Sequence, residues 1–184
     1  MTDSETSKKT STSLISRYIS EFVYGAVDGT VTTFAVVAAS AGAGLSSVVI
    51  LVLGIANLIA DGFSMGASAY LAAEAESHES GARKKASAKV IGLATFAAFI
   101  VVGVLPIAPY IVDVLIGGKE SLGVLFIQSM VVTAMTFLAI GYAKGRLGQG
   151  TIIGSMVTTL LLGAVAAALA YFAGDVLSSL LGVE

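Results

Sequence analysis

Five long apolar segments constrain this chain more than any other feature of its sequence. They run over about 22–43, 47–73, 90–116, 122–143 and 151–174. Each reaches the roughly 20 residues that a membrane-spanning α-helix needs, whereas a transmembrane barrel would show segments of about ten alternating residues. Charged residues make up only 12% of the chain, about half their share in soluble domains. We therefore predict an all-α integral membrane protein with five transmembrane helices within residues 21–184.

The basic residues predict the orientation of these helices. Nine of the ten lie in segments on the side of the N-terminus: Lys8, Lys9, Arg17, Arg83, Lys84, Lys85, Lys89, Lys144 and Arg146. Only Lys119 falls on the other side. Because Lys and Arg concentrate in cytosolic loops, we expect the N-terminus in the cytosol and the C-terminus outside. Residues 1–20 are predicted to be a disordered cytosolic tail, and residues 74–89 a short cytosolic loop.

Composition excludes several classes of function. The chain has no Cys and one His, so thiolate and His-rich metal sites are excluded. It shows no nucleophile–base pair and no cofactor motif, so we expect neither an enzyme nor a permanently bound cofactor. Its net charge of -2 gives no case for a nucleic-acid partner. The lipid bilayer is the partner that the composition predicts.

Small residues and prolines predict how the helices pack. Three glycine pairs with a spacing of four residues permit close approach between helices: Gly25 with Gly29, Gly62 with Gly66, and Gly141 with Gly145. Tight packing follows from them, but dimerisation through any one of them does not. Pro106 and Pro109 fall in the third span, where we expect them to kink or end the helix.

Two carboxylates lie inside the predicted spans and away from the span ends. Asp28 is about two turns into the first span, and Asp61 is near the middle of the second. A charged Asp at the centre of a membrane helix costs about 2.5–3.5 kcal/mol on insertion scales. No basic residue lies inside any span, so an ion pair within one subunit cannot offset this cost. Water, a bound cation or protonation remain as explanations.

The second span presents a set of metal-binding groups. Asn57, Asp61 and Met65 have the spacing i, i+4, i+8, which places them on one helical face. Carboxylate and amide oxygens suit hard or intermediate metals, and a thioether adds a softer ligand, so the set favours Fe²⁺ or Mn²⁺. Taken singly, however, Met65 is typical of core packing and Asn57 of interhelical hydrogen bonding.

The first span carries a similar polar stripe, formed by Glu21, Asp28 and Thr32. Facing the second span, it would make a polar path that opens to the cytosol. A carboxylate in such a low-dielectric site takes up a proton when a metal leaves, and metal binding displaces the proton again. These groups therefore predict metal–proton exchange, although they do not identify the ion.

Two sequence motifs point to a known family. Tyr24–Ala39, YGAVDGTVTTFAVVAA, and Gly54–Leu71, GIANLIADGFSMGASAYL, resemble motifs of the first and second helices of the vacuolar iron transporter family. The resemblance implies a five-helix homodimer that exports Fe²⁺ or Mn²⁺ from the cytosol in exchange for protons. The transport site would lie between the first two helices at the dimer interface. Asp28 matches the family's essential carboxylate, and Met65 matches its sulfur ligand.

The chain departs from that family in two places. Some members have Glu where this chain has Asn57, and Asp61 supplies a carboxylate one turn further on. Iron-storing members insert a long Glu-rich cytosolic domain between the second and third helices, where this chain has only residues 74–89. The pattern resembles the short, nodulin-like branch, for which we expect simple export rather than regulated storage.

Four acidic residues are candidates for an initial metal site at the cytosolic mouth: Glu21, Glu74, Glu76 and Glu79. The alternative, which the charge pattern favours, is a solvated helix end with intrahelical pairs such as Glu79 with Arg83. Two other functions remain open, namely a membrane scaffold subunit without transport and a cation channel. Because no targeting extension is visible, we expect a prokaryotic plasma membrane rather than an organelle.

Overall fold

The computed structural model describes residues 3–79, 87–147 and 151–182, with side chains described from Tyr18 to Glu76 in the first of these ranges. Its helices are α1 (Asp3–Gly42), α2 (Ser47–Glu79), α3 (Ala88–Gly103), α4 (Ala108–Leu115), α5 (Leu122–Arg146) and α6 (Ile152–Leu181), with a 3-10 turn over Leu105–Ile107 between α3 and α4. No strand occurs among the described residues.

In the part of the chain that the structure describes, five stretches are long and apolar enough to span a membrane: Tyr18–Gly42, Ser47–Glu76, Ala88–Leu115, Leu122–Arg146 and Ile152–Leu181. They coincide with the five predicted segments, and the last one extends about two turns beyond its predicted end. The prediction of an all-helical protein with five membrane spans is therefore confirmed.

Two predicted polar segments are helical in the structure. Residues 3–20, for which we predicted a disordered tail, form the beginning of α1. Likewise, α2 continues through the first part of the predicted loop 74–89 as far as Glu79, while residues 80–86 lie outside the described residues. The physical reason is that a helix already nucleated in the membrane gains one hydrogen bond for each added residue without a new nucleation cost.

The third span is broken at its prolines, as predicted. α3 ends at Gly103, Pro106 lies in the 3-10 turn, and Pro109 lies in the first turn of α4. Proline has no N–H to donate and its ring displaces the preceding turn, so the regular ladder stops. The hydroxyl of Ser129 on α5 donates a hydrogen bond to the carbonyl oxygen of Pro106. This bond satisfies a backbone group at the break and ties α5 to it.

α3 and α6 organise the bundle. α1 and α2 each pack more extensively against α3 than against each other, while α6 packs against α1 and α5. The main core cluster combines residues of α1 to α5: Phe34, Val37, Ile50, Leu58, Phe99, Ile107, Tyr110 and Leu125. The pair formed by α1 and α2 is thus held mainly through a third helix.

The glycine pairs are used for packing within one subunit. A Cβ on Gly29 would lie 2.6 Å from the backbone oxygen of Phe99 in α3, and a Cβ on Gly141 would lie 2.5 Å from the Cα of Met156 in α6. Such distances leave no room for a side chain, so the helix backbones are in direct contact. The prediction of tight helix packing is confirmed.

A buried carboxylate closes the loop between α4 and α5. Asp113 is only 3% exposed, although its position near the end of a span suggested a peripheral residue. Its Oδ1 accepts hydrogen bonds of 3.0 Å from the backbone N–H groups of both Lys119 and Glu120. Gly117 and Gly118, which lie between Asp113 and Lys119, have φ of 105° and 62° respectively, values that L-residues rarely adopt. Asp113 therefore fixes the path of this loop.

We expect Asp113→Ala to lower stability. Hydrogen bonds to a charged group contribute about 1.5–3 kcal/mol each, and the loop end can recover part of that from water, so we predict a net loss of about 2 kcal/mol. This corresponds to a melting temperature about 4–8 °C lower, measured on detergent-solubilised protein. Glu120→Ala is the control, because its exposed side chain is replaced without loss of these bonds. Equal melting temperatures for the two variants would contradict the role of Asp113.

Candidate functional site

The polar stripe of α1 is partly open and internally bonded. Asp28 and Thr32 are both half-buried. The Thr32 hydroxyl donates a 2.9 Å hydrogen bond to the backbone oxygen of Asp28, one turn earlier. The Asp28 carboxylate is not used in that bond. It remains a charged or protonated group on the surface that α1 turns towards α2.

A hydrogen bond connects this stripe to α2. Nδ2 of Asn57 donates to Oγ1 of Thr32 over 3.5 Å, so Thr32 accepts from α2 while it donates within α1. Asp61 lies one turn beyond Asn57 on α2 and Asp28 lies one turn before Thr32 on α1, so in this antiparallel helix pair the two carboxylates lie at about the same level. Two acidic side chains and one amide therefore meet between the first two spans.

Glycines set the direction of the two carboxylates. Gly29 and Gly62 directly follow Asp28 and Asp61 in the chain, and both are buried against α3. A Cβ on Gly62 would lie 3.2 Å from the Phe99 side chain, close to the place where Gly29 meets the Phe99 backbone. Because successive helical residues are about 100° apart, seating each glycine on α3 turns the preceding Asp towards the other helix.

Met65 has a mixed environment. It follows Asn57 and Asp61 on the same face of the continuous helix α2, and it is half-buried like them. It also packs against the main core cluster, in keeping with the packing role that is usual for a single Met. Ser64 and Ser68, which flank it, are exposed on the surface of this subunit.

The acidic residues of the predicted site at the cytosolic mouth whose side chains the structure describes do not form one cluster. Glu21 is half-buried on α1. Glu74 accepts a 3.0 Å hydrogen bond from the Tyr70 hydroxyl, and Glu76 is exposed. Glu79 belongs to the last turn of α2, but its side chain lies outside the description. Among the described side chains of residues 18–76, 87–147 and 151–182, no three His, Cys, Asp or Glu are close enough together to hold one metal ion.

The structure thus brings Asp28, Asn57 and Asp61 together and leaves the acids at the mouth apart from them. Sequence reasoning placed Thr32 on the polar stripe but did not identify it as the link between the two helices. The signal for that role was its position one turn after Asp28, level with Asn57 in an antiparallel helix pair.

The class of molecule is now defined as a polytopic helical membrane protein whose first two spans meet through acidic and amide side chains. A sequence model of the VIT family matches residues 19–90 and 77–175. These matches cover most of the chain and all five spans. The chain therefore belongs to the VIT family, which confirms the resemblance to vacuolar iron transporters.

Two curated relatives share part of this sequence. A protein of Toxoplasma gondii named "Vacuolar iron transporter" is 45% identical over 69 residues, which is 38% of this chain and 23% of the relative. A Plasmodium berghei protein of the same name is 33% identical over 64 residues, or 35% of this chain and 23% of the relative. The matched stretch thus covers about a quarter of each relative. Both relatives are eukaryotic and named as vacuolar, so they give no support to the predicted prokaryotic plasma membrane.

Proposed function

We propose that this protein moves Fe²⁺, Mn²⁺ or both out of the cytosol across a membrane in exchange for protons. The observation that carries the proposal is the Asn57–Thr32 hydrogen bond between α1 and α2, which places Asp28 and Asp61 at about the same level one turn away. Membership of the VIT family and the names of the two relatives support metal transport.

The two carboxylates would couple the movement of metal to the movement of protons. Two neighbouring carboxylates inside a membrane repel each other when both are charged, and each is costly without compensation. A divalent cation between Asp28 and Asp61 offsets both charges, with the Asn57 oxygen as a further ligand and the Met65 sulfur favouring Fe²⁺ or Mn²⁺ over Mg²⁺. After the metal leaves, protons restore neutrality. Entering protons and departing metal therefore compete for the same oxygens, which is the basis of exchange.

A homodimer is part of the proposal. Tyr24 on α1 and Ser64 and Ser68 on α2 are exposed in the single subunit, next to the polar stripes. Polar groups inside a membrane normally face protein or water rather than lipid. A second copy placed against α1 and α2 would cover them and enclose the path between the subunits. The N-terminus would then face the cytosol and the C-terminus the opposite side.

The membrane of residence is a separate question. A prokaryotic plasma membrane stays a prediction from the sequence alone, and the vacuolar relatives favour an organelle in a eukaryotic host. A fluorescent fusion of the full chain, expressed in its own cell type, distinguishes the two locations directly.

Flux in proteoliposomes tests the proposal. We expect uptake of Fe²⁺ and Mn²⁺ into vesicles with an acidic interior, little uptake without a pH gradient, and alkalinisation of the interior as metal enters. Ca²⁺ and Mg²⁺ serve as controls because they gain little from a thioether. Rapid flux that ignores the pH gradient would identify a cation channel. Absence of both flux and Mn²⁺ binding in calorimetry would identify a scaffold subunit.

Asn57→Ala is expected to weaken Mn²⁺ binding about 10- to 100-fold, the usual effect of removing one ligand or one of its orienting partners. The variant loses an amide oxygen and the hydrogen bond to Thr32. The matched control is Gln128→Ala, which removes an exposed amide from α5. Calorimetric titration of both proteins provides the comparison. An unchanged dissociation constant for the Asn57 variant would remove Asn57 from the site.

A further inference from the structure

An apolar groove of about 840 Å³ runs between α1 and α5, outside the candidate metal site. On α1 it is lined by Ile19, Val23 and Ala26, and its floor includes Val102 of α3. On α5 the lining continues from Val131 to Arg146 and Leu147. The groove thus begins near mid-membrane and opens at the membrane surface where α1 enters the bilayer and α5 leaves it.

The groove lies on the side of α1 opposite to the metal site. At 3.6 residues per turn, Ile19, Val23 and Ala26 are about 140–200° around the helix from Asp28. Thr32 and Glu21 share the Asp28 side. A ligand in the groove would therefore not contact the proposed transport path.

A positively charged side chain, that of Arg146, lies at the open end of the groove. Arg146 lines the groove in the last turn of α5. Its Nε donates a 3.0 Å hydrogen bond to the Tyr142 hydroxyl, and its guanidinium carbon lies 5.6 Å from the centre of the Tyr142 ring. A guanidinium has five N–H donors in a fixed fork that suits phosphate oxygens. The bond to Tyr142 uses one donor and sets the orientation of the others.

We propose that this groove binds an anionic phospholipid, with an acyl chain between α1 and α5 and the phosphate at Arg146. Val131 to Arg146 spans about 22 Å along α5, which exceeds the roughly 15 Å depth of one hydrocarbon leaflet. One chain therefore fits along the groove while its headgroup stays at the surface. An almost wholly apolar lining that ends at one guanidinium matches the two parts of such a lipid.

Native mass spectrometry of the full chain in detergent, titrated with dioleoyl phosphatidylglycerol or dioleoyl phosphatidylcholine, tests this site. We expect preferential retention of the anionic lipid. Arg146→Gln should weaken phosphatidylglycerol binding about fivefold, the factor for one basic side chain at an anionic surface, and weaken phosphatidylcholine binding less, because the choline cation of that lipid offsets its phosphate charge. The matched control is Lys144→Gln, which removes the same charge two residues away but outside the groove lining, and we expect a change of less than twofold.

A second pair of variants tests the apolar part. Ala139→Phe fills the groove from an exposed position and should abolish retention of both lipids, whereas Ala173→Phe adds the same bulk to an exposed position of α6 away from it. Equal losses in the two charge variants, or retained lipid in Ala139→Phe, would overturn the proposal. The proposal would also be overturned if Ala139→Phe changed the oligomeric mass and left lipid retention unaltered, since that outcome would identify a second copy of the chain as the occupant of the groove.

Discussion

Asp28→Ala is expected to reduce proton-dependent metal uptake to the level of empty liposomes while the protein stays folded and inserted. The carboxylate is half-buried on α1, level with Asp61 on α2, and it takes no part in the hydrogen bond that Thr32 makes to the Asp28 backbone. Removing it leaves that bond and the helix packing in place. It also removes the negative charge that a dehydrated divalent cation needs to enter the membrane. Metal uptake and internal pH are measured together in the same vesicles.

An acidic residue that is exposed and lies outside the site provides the control for Asp28. Asp175→Ala removes an exposed carboxylate from α6 and should leave uptake unchanged. Asp28→Asn keeps the shape and a ligand oxygen but cannot exchange a proton, so we expect it to be inactive as well. Full uptake by Asp28→Asn would show that Asp28 binds metal without carrying protons. Full uptake by Asp28→Ala would remove this residue from the path.

Gly141→Val is expected to give the largest loss of stability, about 3 kcal/mol or a melting temperature about 6–12 °C lower. Already the first carbon of the new side chain would lie 2.5 Å from the Cα of Met156, 2.9 Å from the oxygen of Ser155 and 3.0 Å from the nitrogen of Met156. These are backbone atoms, which cannot rotate away. Helices α5 and α6 would have to separate along their contact.

Gly123→Val on the same helix is the matched control. A Cβ there would have no atom within 4 Å, so we expect a change within about 0.5 kcal/mol. Melting is followed by size-exclusion chromatography of detergent-solubilised protein after heating. Similar losses in the two variants would mean that β-branching within α5, and not the contact with α6, limits stability.

Much of this fold could be predicted because the bilayer restricts what a chain can do. A spanning segment must satisfy its backbone internally over a fixed thickness, so five apolar runs gave five helices, and Pro106 and Pro109 gave the break. The helical start at Asp3 was missed because a polar composition was taken to mean disorder. A polar segment can still be helical when it continues a helix that has already formed next to it. The burial of Asp113 was missed because its partners are backbone groups, which leave no pattern in the sequence.

The candidate site was predicted in part for a similar reason. An acidic residue in a span is conspicuous, so Asp28 and Asp61 could be identified singly, and helical spacing joined Asp61 to Asn57 and Met65. Their arrangement across two helices depends on which face each helix gives to α3, and many glycines could have taken that place. Only the structure shows that Gly29 and Gly62 do so and that Thr32 carries the link.

The central position of α3 has a mechanical consequence. α1 and α2 are each fastened to α3 and share a smaller surface with each other, and the polar residues lie along that smaller surface. A slight widening between α1 and α2 would disturb fewer packed groups than separation of either helix from α3. Among α1, α2 and α3, the weakest contact therefore runs through the carboxylates, so their protonation or metal loading acts where these three helices separate most easily.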